Sequence, residues 1–176
     1  MQLKAVLKPL FATMKSVFAS QCNVTLSFEN SYLQPRGQEW ALESMQNVVT
    51  TAQLYSPELT FTIAYCFPEE VFLKFVSSMF GEEFKAVTPE IRDLAAEWLN
   101  ITLGNLKSSL NDELGGNFNN NIPMTVMGDR LVFSADEITP IVVIPVKSPQ
   151  GNFHCLLILG NDAVIPWDNS SFGHGQ

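Results

Sequence analysis

Positive charge is scarce in this sequence: ten Lys and Arg stand against eighteen Asp and Glu, a net charge of −8. That shortage argues against a nucleic-acid groove or an anionic membrane surface, both of which need clustered cations. A protein partner or a small molecule fits better. A run of about 18 apolar residues, the length that a membrane-spanning helix requires, is also missing, so a transmembrane span is excluded on length. Cysteine is rare, with Cys22, Cys66 and Cys155 far apart in apolar surroundings. They read as buried inert thiols in a reducing cytoplasm rather than as a disulfide framework. The sequons at Asn23, Asn100 and Asn169 then carry no meaning, since glycosylation needs secretion. Of the two histidines, His154 adjoins Cys155 in a strand pattern, which points the two side chains to opposite faces and denies them a shared metal, and His174 lies in the tail. G-x-x-x-x-G-K-[ST], G-x-S-x-G and H-E-x-x-H are absent too. The chain is therefore not expected to hold a nucleotide, a cofactor or a metal of its own.

What is present suits one domain of ordinary size, with 176 residues of which 46% are hydrophobic. We read residues 1–166 as that domain and 167–176 as a polar tail. Leu3, Val6, Leu7, Leu10, Phe11, Met14, Val17 and Phe18 keep helical spacing, and Lys8, Pro9 and Lys15 interrupt the apolar stretch. This makes an amphipathic core helix, not a secretion signal. Strand patterns follow at 24–30, 44–55 and 58–67, with Phe61, Ile63, Tyr65 and Phe67 on one face. Pro68 opens a short helix that Gly81 closes, with Val71, Phe72, Phe75, Val76 and Met79 as its apolar side. A long helix spans 88–114, a polar loop covers 117–121, and strands are expected near 123–127, 131–134, 139–147 and 151–160. A helix followed by strands thus occurs twice. The expected fold is α+β, with two long helices and a short helix packed on an antiparallel β-sheet, built from a pseudo-duplicated unit. Pattern rather than residue identity between the halves carries that reading. Apolar strands near either end of the sheet leave a homodimer open, although one sequence does not say which strand is an edge.

The long helix holds the best clue to function. Thr88 is its N-cap, Pro89 its first residue, and Gly115-Gly116 its stop. Ile91, Leu94, Ala95, Trp98, Thr102, Asn105 and Leu106 share a stripe that requires a core, and Asn105 reads as a satisfied buried amide on it. On the polar side stand Asp93, Glu97, Asn100 and Gly104. Glu97 and Asn100, three apart, are neighbours on the surface. A mid-helix glycine costs about 1 kcal/mol relative to alanine, and an exposed asparagine some tenths. Helix formation does not account for them. A missing side chain beside a carboxylate and a carboxamide makes a shallow notch into which another molecule can press. Spacing alone is weak evidence, since Glu-x-x-Asn occurs on many solvated helix faces.

The pattern D-x-x-x-E-x-x-N-x-x-x-G-N, filled by Asp93, Glu97, Asn100, Gly104 and Asn105, resembles the signature helix of the CheC/CheX family of chemotaxis phosphatases. Phe67-Pro68-Glu69-Glu70 through Met79-Phe80-Gly81 resembles the helix that precedes it, and Ile122-Pro123-Met124-Thr125-Val126-Met127-Gly128 resembles the strand that follows. The likeness covers residues 60 to 130, and the remainder only by order of elements. Members of the CheC kind carry a second motif on the first helix. Ala12 to Ala19 contains neither Glu nor Asn, so the single-motif, CheX-like branch fits better.

The resemblance implies hydrolysis of the aspartyl phosphate of a CheY-like response regulator. It assigns Asn100 the attacking water and Glu97 an ion pair with the regulator's active-site lysine. Gly104 would leave room for the partner, and Asp93 would support the rim. The Mg2+ that the chemistry needs is expected in the regulator. The alternative is a catalytically silent adaptor of the same fold in chemotaxis or flagellar-switch signalling. Which regulator is the substrate does not follow from the sequence.

Overall fold

A computed structural model describes residues 3–35, 37–42, 47–134 and 139–160. The tail expected at 167–176 and the start of the 44–55 strand pattern lie outside them. The first helix, α1, is Leu3–Cys22. Two short strands follow, β1 (Ser27–Phe28) and β2 (Tyr32–Leu33), then β3 (Trp40–Ala41). A long hairpin joins β4 (Asn47–Tyr55) to β5 (Thr60–Pro68), and α2 (Glu69–Phe80) and α3 (Pro89–Leu114) come next. The chain closes with β6 (Asn119–Asn120), β7 (Met124–Gly128), β8 (Val132–Phe133), β9 (Ile141–Lys147) and β10 (Phe153–Leu159).

The sheet runs β1-β9-β10-β5-β4-β6, with β2 also on β9, β7 also on β4, and every pairing antiparallel. Hairpins β4–β5 and β9–β10 meet at the centre, where Cys155 lies opposite Tyr65 and Leu157 opposite Ile63. Outside them, β1, which follows α1, pairs with the second hairpin, and β7, which follows α3, pairs with the first. The strand order therefore reads alike from either edge, as a duplicated helix-then-strands unit requires. Among the described residues β7 pairs only with β4. It forms one edge of the sheet, opposite the β1 and β2 edge, and Met124, Val126 and Met127 are exposed along it.

Alternation along the strands makes two apolar faces. Val48, Ala52 and Leu54 of β4, Phe61, Ile63, Tyr65 and Phe67 of β5, and Phe153, Cys155 and Leu157 of β10 turn toward the helices and form the main core with them. Val49, Ala64, Cys66, Val143 and Leu156 point the other way, under Trp40 and Phe133 of the small β3–β8 sheet. Covering on both sides explains why the central strands read as nearly continuous apolar runs. His154 sits edge-on to Trp40 on that second side, away from Cys155 on the first, as alternation requires.

The short elements depart from expectation. Only Ser27–Phe28 of the 24–30 pattern is a strand, and β2 and β3 were not foreseen. The polar loop at 117–121 contains β6, where Asn119 and Asn120 pair with Tyr55 and Leu54. Two-residue ladders are fixed by their neighbours, not by local pattern, which needs about four residues to register.

Cys22, Cys66 and Cys155 are free and buried. Burial pushes the Cys22 thiol up from 9.0 to about 12 and raises Cys66, Cys155 and the Tyr65 phenol as well. Below pH 9 the folded and unfolded chains hold these protons equally, so the contribution to stability is complete. Above 9.0 for the thiols and 10.0 for the phenol the unfolded chain ionises while the native one does not, and stability falls as pH climbs toward 12, by about 1.4 kcal/mol per pH unit for each group past its unfolded value. Urea midpoints should drop steeply between pH 8 and pH 10.5. An unchanged midpoint would show that these groups ionise in place.

Candidate functional site

The candidate residues are carried by α3. Its start is fixed by the Thr88 hydroxyl, which accepts a hydrogen bond from the Ile91 N–H at 3.4 Å. Glu90 in the first turn has a carboxyl held below the usual range by its own backbone N–H and by the Thr88 hydroxyl. Gly115 ends the helix at φ 62°, a left-handed conformation that glycine adopts without strain. The buried arc is Ala95, Trp98, Leu99, Thr102, Leu103, Leu106 and Leu110. Trp98 packs among Phe18, Phe67, Phe72 and Phe75, with ring centroids 5.4 to 6.4 Å apart.

This arc corrects one expectation. Asn105 is exposed, not a buried amide, because the helix is rolled toward Leu99 and Leu103 and away from Asn105. Leu99 and Leu103 were left out of the apolar stripe, although their leucine side chains were the available signal. The centre of the observed buried arc lies roughly 60° from that of the expected stripe at 100° per residue, because Leu99, Leu103 and Leu110 join it while Ile91, Leu94 and Asn105 do not. The same roll sets Glu97 squarely opposite the core.

Asp93, Glu97, Asn100 and Gly104 are all exposed. At 100° per residue they fall within an arc of about 60°, with Glu97 and Asn100 at its two sides and Gly104 between. Among the described residues neither Glu97 nor Asn100 makes a side-chain hydrogen bond or ion pair. Both are therefore free to engage an incoming molecule. Asp93 is engaged, since Arg92 contacts its carboxylate at 3.2 Å with both side chains open to solvent. Sequence reasoning missed Arg92, whose adjacency to Asp93 was the signal. An ion pair this exposed contributes at most about 1 kcal/mol. A methyl group added at Gly104 would meet nothing within 4 Å. The fold thus gives no reason for glycine at that position.

Among the described residues no group of three or more His, Cys, Asp or Glu is placed to hold a metal ion. No helix among them is long and apolar enough to cross a membrane. Chemically, the ridge offers one unpaired carboxylate, one neutral donor and acceptor, and an open step between them.

Residues 50–147, which include all of α3, match the family model described as chemotaxis phosphatase CheX. The chain belongs to this family. No curated protein matches the sequence. Solved structures share the fold of this CheX-family chain. A CheC-like superfamily protein from Shewanella sp. PV-4 is 19% identical with a TM-score of 0.77, covering 91% of this chain and 99% of that one. A chemotaxis protein CheX from Desulfovibrio desulfuricans is 19% identical with a TM-score of 0.74, covering 88% and 99%. The CheX–CheY–BeF3–Mg2+ complex from Borrelia burgdorferi is 20% identical with a TM-score of 0.56, covering 87% and 96%. The expected α+β fold and the CheX-like assignment both hold.

Proposed function

We propose that the chain hydrolyses the aspartyl phosphate of a CheY-like response regulator, with Glu97 and Asn100 as the working residues. The observation that carries this reading is their position: two unengaged polar side chains share one exposed arc of α3, directly opposite its buried arc, around a glycine that the fold does not need. Membership of a chemotaxis phosphatase family and the fold shared with a relative solved in complex with CheY, BeF3 and Mg2+ support it.

The residue types suit the task. An acyl phosphate is already activated, so a catalyst needs to set a water in line with phosphorus and stabilise spreading charge. The Asn100 carboxamide accepts a hydrogen bond from the water through its oxygen, and as a neutral group it approaches the phosphoryl oxygens without the repulsion that a carboxylate meets. Glu97 is matched to a cation and pairs with the regulator's lysine, which orients the two proteins. Asp93, tied to Arg92, borders the contact. The Mg2+ ion resides in the regulator, held by its acidic residues, and this chain contributes no ligand to it.

The test is phosphate release from a phosphorylated regulator with Mg2+ present. Acceleration that disappears with Asn100→Ala supports the enzyme. Binding without acceleration supports a silent adaptor of the same fold, and neither binding nor acceleration removes both readings.

Gly104 separates the two demands on α3. Gly104→Ala should raise stability by about 1 kcal/mol, which lifts the melting temperature by about 2–4 °C for a domain of this size. The same methyl group stands in the notch, so KM for the phosphorylated regulator should rise. A stabilised variant with unaltered kinetics would show that no partner presses there.

A further inference from the structure

The turn that carries the candidate site is poor in residues that favour a helix by themselves. Asn100, Ile101, Thr102, Gly104 and Asn105 are all poor helix formers, crowded into six positions at the centre of α3. If that turn frays, Glu97 and Asn100 lose the three-residue helical spacing that places them side by side.

A buried hydrogen bond reaches this turn from the sheet. The Tyr65 hydroxyl on β5 donates to the Thr102 Oγ1 at 2.7 Å, and the Thr102 hydroxyl donates to the Trp98 carbonyl at 2.9 Å. Tyr65 and Thr102 are both fully buried. The Tyr65 ring packs against Phe18, Phe67 and Phe153 at 5.6 to 6.2 Å, contacts that a phenylalanine would make equally well. The hydroxyl adds a polar group that is costly to bury unless it is bonded. What it adds in return is direction. Apolar packing under α3 is non-directional, and the Trp98 indole N–H, buried beside it, has no partner among the described residues. The hydroxyl chain instead runs from the sheet to Thr102 and on to Trp98, spanning the turn on whose outer side Asn100 stands.

We propose that Tyr65 is a positioning residue for the α3 site: its hydroxyl, acting through Thr102, holds residues 98–105 helical from the sheet side and so maintains the spacing of Glu97 and Asn100. Tyr65 touches no substrate. The proposal rests on the phosphatase reading for its effect on rate, but not for its effect on the helix.

Native-state hydrogen exchange and steady-state kinetics on Tyr65→Phe, Thr102→Ser and Thr102→Val test both parts. In Tyr65→Phe, amides of residues 100–106 should exchange about tenfold faster, the equivalent of losing one hydrogen bond, while the ends of α3 and the central strands change less. The kcat should fall with them, because a misplaced catalytic group is costly: about 1 Å can mean 100-fold. Thr102→Ser keeps the hydroxyl and should retain both properties, and Thr102→Val should lose both. Ile144→Val, a core change on β9, should alter global stability and leave kcat alone. A uniform rise in exchange across the domain would overturn the proposal, as would a local rise with unchanged kcat. An inactive wild-type chain would remove the phosphatase reading, and the exchange pattern would still decide for or against the hold on α3.

Discussion

Asn100→Ala is expected to lower kcat for phosphate release by about 10²–10³-fold, the loss typical of removing one preorganised hydrogen-bonding group from a reacting centre, while the complex with the regulator still forms. The side chain lies on the solvent side of α3 and has no partner among the described residues, so its removal leaves the core untouched. Alanine is also the better helix former, by some tenths of a kcal/mol, and the variant should be no less stable than the parent. A drop in rate therefore cannot come from unfolding. Asn100→Asp makes the sharper comparison: it keeps the shape and adds a negative charge where the phosphoryl oxygens would lie. It should be as slow as the alanine variant, or slower. An aspartate variant that works at the parental rate would mean that the carboxamide's neutrality is irrelevant.

The second large effect is at Glu97, and it should appear in KM. Losing one member of a desolvated, hydrogen-bonded charge pair across an interface costs about 2–5 kcal/mol, which corresponds to about 30-fold or more in affinity. Glu97→Gln should raise KM on that scale with kcat changed much less, and Glu97→Lys should abolish measurable turnover. Salt supplies an independent check, because a pair formed from exposed charges is screened before docking. KM of the parent should climb with ionic strength, and that of Glu97→Gln should climb less. Loss of kcat with KM intact would assign Glu97 to the chemistry rather than to docking.

The long elements were legible in the sequence because each carries enough periods of its own pattern. α1, α2, α3 and the hairpins β4–β5 and β9–β10 all appear where apolar spacing, Pro68, Thr88 and the terminal glycines place them. The shared exposure of Asp93, Glu97, Asn100 and Gly104 on one arc was also legible, since helical spacing sets them opposite the apolar stripe. Three things were not. β2, β3 and β6 are two-residue ladders held by tertiary neighbours. The roll of α3, which exposes Asn105, depends on Leu99 and Leu103 meeting the core. The bond between Tyr65 and Thr102 joins residues 37 apart, and no local pattern encodes such a contact.

A structure of this chain bound to a regulator loaded with beryllium fluoride and Mg2+, as a stand-in for the aspartyl phosphate, examines the site most directly. The expected result is the α3 ridge seated over the regulator's active site, with the Asn100 carboxamide in hydrogen-bond reach of a water in line with the beryllium, and Glu97 within 4 Å of the lysine ammonium, the limit for an ion pair. A complex formed through another face, with Glu97 and Asn100 still open to solvent, would contradict it.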